Sequence, residues 1–165
     1  MAYGVVYDYL MGETIDAFEY FGAHFVTQEI TKEIKPKGKS KAKPTFKTEI
    51  VEGVVFRLYA PNAKDVSVIG SWNNWDVTAH KLNKIDDSGV WEIFIPKLKE
   101  YSDYKFHFKN ASGKYVDKAD PFAFFSALPP ETTSRLFDIK NFIWHDENWI
   151  KARNRNFDKP MSIYE

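Results

Sequence analysis

The sequence predicts a mainly β protein built as a small antiparallel sandwich. Three observations support this prediction: short runs of β-branched and aromatic residues, turn residues between the runs, and no helical pattern separating them over residues 48–140. Strands this short, joined by tight turns, can bury an apolar face when two antiparallel sheets pack together. We therefore expect two sheets around one core.

Alternation of apolar and polar residues places the individual strands. It is clearest after Asp103, where Tyr104, Phe106 and Phe108 face inward and Lys105, His107 and Lys109 face outward. The same pattern assigns Trp91 to packing. The predicted strands are residues 54–59, 66–69, 90–95, 104–109, 114–117 and 134–139.

Helices are expected only at the two ends of the chain. Residues 14–21 have apolar residues at helical spacing, with Thr14 as a cap and Gly22 as a stop. Asp146 can cap a second helix that runs to Arg153. His24 follows Gly22 without a sequence partner for metal binding or catalysis, and we interpret it as a structural histidine.

These patterns divide the chain into four segments. Residues 1–31 form an N-terminal extension with a short helix, and residues 32–47 form a lysine-rich flexible linker. Residues 48–140 form the sandwich. Residues 141–165 form a helical connector.

The linker has the most uneven charge in the chain. Residues 32–47 contain seven lysines and one acid, so the segment carries a charge of +6 and the remainder −6. Pro36, Gly38 and Pro44 add to its expected flexibility. The alternative is a contact with an anionic polymer, although no aromatic residue lies between Lys32 and Pro44 for base stacking.

Composition narrows the function classes. The formal net charge is zero, which gives no global argument for nucleic-acid or membrane partners, and we predict neither. Cysteine is absent, which excludes disulfides and thiolate metal sites. With no secretory signal or membrane-length apolar run, we expect a soluble cytoplasmic protein. We predict no metal, cofactor or catalytic residue.

The turn after the predicted strand at residues 66–69 carries the clearest functional signal. It contains Trp72 and Trp75 with Asn73 and Asn74 between them. An indole face can cover the C–H groups of a sugar while amides bond its hydroxyls. Strand parity turns Trp72 inward, which leaves Trp75 as the stacking candidate. The asparagines have an alternative role in the turn itself.

A family resemblance extends beyond this turn. It is carried by residues 53–63, 66–75, 89–96, 104–106 and 118–123, flanked by the elements at 21–24 and 160–165. In these residues the sequence is similar to family 48 carbohydrate-binding modules, in the form found at the amino terminus of bacterial 1,4-alpha-glucan (glycogen) branching enzymes. The resemblance implies an immunoglobulin-like sandwich.

The resemblance also implies site residues. Trp75, Lys105 and Tyr115 match sugar-contacting positions, with tyrosine replacing a tryptophan at position 115, and hydroxyls of residues 132–134 are weaker matches. Asn73 and Asn74 complete the predicted carbohydrate site. A secondary carbohydrate site is implied at Tyr59, Pro61, Ser88 and Gly89.

The implied function is an accessory one. We expect the chain to hold α-1,4-glucan, as glycogen or maltooligosaccharides, for a catalytic barrel that makes α-1,6 branches. Residues 160–165 resemble the opening of that barrel. A barrel needs about 250 residues, so we expect its catalytic carboxylates to lie beyond this chain. Three alternatives remain: a structural brace for the barrel, a non-catalytic glycogen-docking scaffold, and the module of another glycogen or starch enzyme such as isoamylase.

Overall fold

The computed structural model describes residues 2–34, 45–154, 158, 160, 162, 164 and 165. These residues form two antiparallel sheets, which confirms the predicted mainly β, immunoglobulin-like sandwich. The strands are β1 (Gly22–Ile34), β2 (Thr45–Tyr59), β3 (Asp65–Gly70), β4 (Asn83–Ile85), β5 (Val90–Pro96), β6 (Asp103–Lys109), β7 (Tyr115–Lys118), β8 (Phe125–Ser126) and β9 (Ser134–Arg135).

The two sheets draw on interleaved parts of the chain. One sheet has the order β1-β2-β5-β4, and the other has the order β3-β6-β9-β8 with β7 paired to β6. Strand β6 is therefore central, because it contacts β3 along one edge and both β7 and β9 along the other. Its strands carry two of the predicted sugar-binding residues, Lys105 on β6 and Tyr115 on β7, and the turn after β3 carries Asn73, Asn74 and Trp75.

The core lies between the sheets, where sequence alternation predicted it. Val54 and Phe56 of β2 and Phe106 of β6 are fully buried, and Leu58 and Trp91 are nearly so. Aromatic rings fill the centre, with Phe56 and Tyr104 meeting edge to face at 5.3 Å between centroids. Phe108 is half-buried and packs against the same cluster. Burial of these apolar side chains supplies the main driving force for folding.

A second apolar cluster closes one corner of the sandwich. Helix α1 (Ala2–Met11) brings Val6 against Phe21 and Val90, and Tyr59 packs at the margin. No sequence pattern predicted this helix, because residues 1–11 offer neither a polar N-cap residue nor a charged helix face. The glycine that ends it, Gly12, has the positive φ of a helix C-terminus.

The helix predicted at residues 14–21 is wrong. Only a single 3-10 turn forms there, at Ala17–Glu19. Thr14 does not cap it: the Thr14 hydroxyl accepts a hydrogen bond from the Asp16 backbone amide in a local turn. The short helix of the N-terminal segment lies earlier instead, and Phe21 packs into the corner cluster.

Strands β1 and β2 form a hairpin that extends beyond the other strands of their sheet. They pair from Gly22–Arg57 to Ile34–Thr45, whereas β5 pairs with β2 only from Gly53 onward. We call the two-stranded part, residues 26–34 and 45–52, the β arm. Lys32 and Lys47, the ends of the predicted linker, lie within its strands and both contact Glu49 at 3.0 Å. These lysines lower the pKa of Glu49 to about 2. Residues 35–44 of the predicted linker lie outside the described residues.

The C-terminal connector contains helix α2 (Glu147–Ala152). It begins after Asp146 as predicted, but the Asp146 side chain makes no cap hydrogen bond. The predicted strand at 134–139 is shorter, ending at Arg135. Residues 161 and 163 of the barrel-like ending lie outside the described residues. Among the helices of the described part, none has the length and apolar character needed to cross a bilayer.

Candidate functional site

Asn73 organises the turn that follows β3. Its side-chain oxygen accepts a hydrogen bond from the Gly70 backbone amide at 2.9 Å. Its amide nitrogen lies 3.3 Å from the Val68 carbonyl oxygen and 2.9 Å from His80 Nδ1. Both polar groups of the Asn73 side chain therefore form hydrogen bonds within the protein. This agrees with the alternative role of asparagine in the turn itself. A sugar would have to compete with these hydrogen bonds.

Two residues with positive φ follow Asn73. Asn74 has a φ of 52° and Trp75 a φ of 60°. Asparagine adopts this left-handed conformation readily, but a bulky residue does so rarely. The Trp75 backbone amide donates to the Gly70 carbonyl at 3.1 Å, which fixes the turn to the end of β3. Trp75 is 40% exposed, and Asn74 is exposed beside it.

The pKa shifts of His80 and Asp76 agree with the hydrogen bonds that hold the turn. Burial lowers the pKa of His80, against a weaker opposite effect of the Asp76 charge. A neutral imidazole can accept the Asn73 amide hydrogen at Nδ1. Hydrogen bonds from the Thr78 backbone amide and hydroxyl lower the pKa of Asp76. The turn is thus held by a neutral histidine and a charged aspartate.

Trp72 lies inward, as strand parity predicts. It is half-buried and packs against the core, with its ring 5.8 Å from that of Phe56. Its ring also covers Gly70 so closely that a Cβ there would overlap it. The two tryptophans therefore differ: Trp72 packs beneath the turn, and Trp75 projects from it.

Lys105 stands on the outer face of β6. Its ammonium donates to the Thr132 hydroxyl at 2.8 Å, and Thr132 is itself exposed. Thr133 and Ser134 are buried, and the Ser134 hydroxyl accepts from the Asp120 backbone amide. Of the three hydroxyls considered at 132–134, only that of Thr132 reaches this surface.

Tyr115 stands on the same sheet, supported from below by a histidine. Its ring is 53% exposed and stacks on His107, with centroids 4.9 Å apart and planes inclined by 8°. His107 Nδ1 lies 2.6 Å from Asp117 Oδ1. The Lys109 ammonium is 5.6 Å from the Tyr115 centroid. Sequence reasoning missed this support, although the alternation along β6 already placed His107 outward.

Strand register separates the two aromatic candidates. Gly70, which anchors Trp75, pairs with Tyr104, next to Lys105; Tyr115 pairs with Lys109. Lys105 and Lys109 are four residues apart on β6, or about 14 Å at about 3.4 Å per residue. The structure therefore brings Trp75 and Lys105 to one end of the sheet and Tyr115 to the other. An extended polymer fits this spacing better than a single sugar.

The secondary candidates form a closed corner, which we call the Tyr59 corner: Tyr59, Pro61, Ser88 and Gly89. A Cβ on Gly89 would lie 2.9 Å from Pro61 Cβ and 3.0 Å from Tyr59 Cε2. Ser88 is buried, and its hydroxyl donates to the Ile85 carbonyl at 2.6 Å. The Tyr59 ring meets Tyr9 and Phe21 at 6.2 Å. Only Pro61 is exposed.

His24 lines a cavity of about 290 Å³ between β1 and residues 137–140. Its Nε2 lies 2.8 Å from the Phe21 carbonyl oxygen, to which it donates, and burial lowers its pKa. This is the environment expected of a structural histidine. Within the described residues, no group of three His, Asp or Glu side chains is arranged to hold a metal ion.

Residues 43–123, which contain the Trp75 turn, Lys105 and Tyr115, match the sequence model of carbohydrate-binding module 48, described as the isoamylase N-terminal domain. The sequence of residues 43–123 therefore resembles that of a family 48 carbohydrate-binding module. The match includes β2 to β7 and leaves out helix α1, most of β1 and the C-terminal connector.

Curated relatives extend the similarity beyond the family 48 module. The 1,4-alpha-glucan branching enzyme GlgB of Bacillus cereus (strain B4264) is 33% identical over 91% of this chain and 20% of the relative. The enzyme of the same name from Chlamydia felis is 44% identical over 70% of this chain and 16% of the relative. The chain thus spans about a fifth or less of the curated relatives it matches.

A solved structure supports the fold. The crystal structure of a candidate alpha amylase from Salmonella typhimurium superposes with a TM-score of 0.51 at 15% identity, over 79% of this chain and 17% of that one. At this identity the likeness concerns the fold alone.

Proposed function

We propose that this chain is the accessory glucan-binding part of a 1,4-alpha-glucan branching enzyme of glycogen biosynthesis. Trp75, Lys105 and Tyr115 bind α-1,4-glucan, as glycogen or maltooligosaccharides. The family of the module and the names of the curated relatives support this proposal. A cytoplasmic location, expected from the sequence, belongs to it.

One observation carries the binding site: Trp75 is exposed on a turn built to project it. A bulky residue at positive φ costs free energy, and such strain is common at functional sites. Asn73 and His80 hold the turn in that conformation. Asn74, exposed beside the indole, is the amide best placed to reach a sugar hydroxyl.

The binding expected from such a surface is weak for each sugar. Sugar hydroxyls are already hydrated, so exchanging water for Lys105 or Asn74 contributes little net free energy. Stacking adds about 1 kcal/mol per ring by analogy with aromatic pairs. Aromatic contacts near opposite ends of β6, Trp75 at one and Tyr115 at the other, favour a long chain, which engages both.

In this proposal the module raises the local concentration of glucan near the catalytic barrel. The barrel cuts an α-1,4 chain and transfers it to form an α-1,6 branch. We assign no catalytic residue and no cofactor to the present chain. The Tyr59 corner is left out of the binding surface, because its aromatic ring and its serine hydroxyl are used in packing.

Affinity electrophoresis in glycogen-containing gels tests the proposal. We expect glycogen to retard the protein and Trp75→Ala to abolish most of the retardation. Trp149→Ala, which removes another exposed tryptophan, is the control and should behave like the unchanged protein. Lys105→Gln should weaken retardation, whereas Lys84→Gln, with the same change in charge, should not. Equal retardation of Trp75→Ala and the unchanged protein would refute the site.

A second candidate function, bracing of the barrel, is favoured by the C-terminal connector. Ile143 and Trp144 are 71% exposed, and Trp149 is 65% exposed. Exposed apolar residues this close together are typical of a surface that another body covers. Capture by a branching-enzyme barrel produced separately should be lost in Trp144→Asp and kept in Trp75→Ala. Capture that survives Trp144→Asp would contradict the bracing role.

A further inference from the structure

We infer that His107 is a positioning residue for Tyr115, which it holds as a ready-made stacking platform for a glucosyl ring. This inference rests on the proposed glucan-binding function and adds one residue that the sequence analysis did not assign to the site. It starts from the pairing of β6 with β7.

The strand register makes Tyr115 a diagonal neighbour of His107. His107 pairs with Asp117, and Lys109 pairs with Tyr115, so all four side chains stand on the same face of the sheet. Diagonal neighbours on antiparallel strands are within reach of aromatic side chains. The two rings stack on each other: their planes are inclined by 8° and their centroids are 4.9 Å apart.

The imidazole is itself held from the β7 side. Asp117 Oδ1 lies 2.6 Å from His107 Nδ1 across the β6–β7 pair. On the other side, β3 places the buried Ser67 opposite His107. The His107 side chain is only 16% exposed, whereas the Tyr115 residue above it is 53% exposed. A fixed ring thus lies beneath an accessible one.

This arrangement matters for affinity because an unsupported surface tyrosine samples several rotamers. Binding would then have to order the ring, at a cost in side-chain entropy. Because stacking on His107 orders the ring when the protein folds, sugar binding does not have to order it. This ordering in advance matters more for tyrosine than for tryptophan. The smaller tyrosine ring gives less stacking free energy to offset an entropy cost.

The charges around the platform suit a neutral polyol. Lys105 and Lys109 stand on the same face of β6, and Asp117 stands across on β7. Asp65, opposite Lys109 on β3, is paired with Lys81. Hydroxyl groups can accept from the lysines and donate to carboxylates. A single strong charge on a ligand would meet both signs at once.

Two measurements on one set of variants test the role of His107. The first is affinity for maltoheptaose by NMR titration; the second is the set of χ1 scalar couplings of Tyr115 without sugar, which report its rotamer populations. The variants are Tyr115→Ala, His107→Ala, the double variant and His107→Phe, with Lys114→Ala as a neighbouring control. Dispersion of the amide spectrum checks that each variant folds.

We expect Tyr115→Ala to weaken binding about fivefold, which corresponds to about 1 kcal/mol of stacking. His107→Ala should weaken it by a similar factor and average the Tyr115 couplings over several rotamers. The double variant should be no weaker than Tyr115→Ala alone, because His107 acts through that ring. His107→Phe, which keeps a ring beneath Tyr115, should restore most of the affinity and the single rotamer.

Two results would overturn the inference while leaving the proposed function intact. In the first, Tyr115→Ala weakens binding but His107→Ala changes neither affinity nor couplings. In the second, the losses from His107→Ala and Tyr115→Ala add, which would give His107 a separate role. Absence of saturable binding by the unchanged protein would overturn both the inference and the proposed function.

Discussion

The Trp75 turn and the Tyr59 corner are both predicted glucan sites, and the structure builds them in opposite ways. At the Trp75 turn the hydrogen bonds lie beneath the backbone, and the aromatic ring projects outward. At the Tyr59 corner the ring packs against α1 and the turn glycine is buried beneath Pro61. Side-chain exposure, more than residue type, separates a binding surface from a packing contact.

The largest effect is expected from Tyr59→Ala. Removing the ring leaves a cavity between β2 and the second apolar cluster, that of Val6 and Phe21, so the free energy of unfolding should fall by about 2–3 kcal/mol. Glucan affinity should be unchanged. Tyr115→Ala is the matched control and should change stability by less than about 0.5 kcal/mol. Chemical denaturation measures both, and equal losses in the two variants would remove the distinction between the regions.

Gly89→Ala should come next. Gly89 has a φ of 79°, and a Cβ would press on Pro61 and Tyr59, so we expect a loss of about 2 kcal/mol. Gly113→Ala is the control, because Gly113 has a similar φ of 83° but its Cβ would lie 3.9 Å from the nearest atom, on Lys109. It should lose about 1 kcal/mol from backbone strain alone. A Gly113→Ala loss as large as that of Gly89→Ala would mean that the corner is not tightly packed.

Asn73→Ala should have a smaller effect on stability and a clear effect on binding. The substitution leaves the Gly70 amide and the Val68 carbonyl without their side-chain partner, at a cost of about 1–2 kcal/mol. Because the turn then holds Trp75 less firmly, affinity for maltoheptaose should fall as well. Asn74→Gly, which keeps the left-handed conformation, should leave the thermal unfolding midpoint unchanged. An Asn73→Ala protein of unchanged stability would show that the turn does not depend on this side chain.

The smallest effect is a pH dependence of the Trp75 turn. Burial holds the pKa of His80 in the folded protein below the ordinary histidine value of about 6.5, so the folded state binds fewer protons than the unfolded one. The stability that His80 contributes is therefore present above pH 6.5 and lost as the pH falls through the lower folded value. The Trp75 indole NMR signal should broaden or shift over this range. His80→Gln, which keeps an acceptor but does not titrate, should remove the change; a persistent change would assign it to another group.

Sequence alone predicted the sandwich because β-strand alternation is a local signal. Val54, Phe56 and Phe106 were assigned to the core by parity, and the structure buries all three. Strand parity also separated Trp72 from Trp75. Sequence patterns failed at the N-terminus, where the sequence offers no polar N-cap residue for helix α1 and the helix is held by tertiary contacts of Val6. Strand β1 was missed for a related reason: its polar and charged residues form the β arm and bury little surface.

The candidate site was predictable in residue type but not in arrangement. Lys105 and Tyr115 came from the family resemblance, and the structure adds what touches them. The bond from Lys105 to Thr132 joins positions 27 residues apart, and the stack of Tyr115 on His107 depends on strand register. Asn73 shows the limit most clearly, since asparagine suits both a sugar contact and a turn. The contacts of its side chain, which no sequence pattern specifies, favour the turn.

Titration of the unchanged protein with maltoheptaose, followed by amide and indole NMR signals, tests the central claim directly. We expect saturable shifts at the Trp75 indole and around Lys105 and Tyr115, and no shifts at Tyr59 or Gly89. Saturable shifts centred on the Tyr59 corner, with the Trp75 indole unmoved, would contradict it.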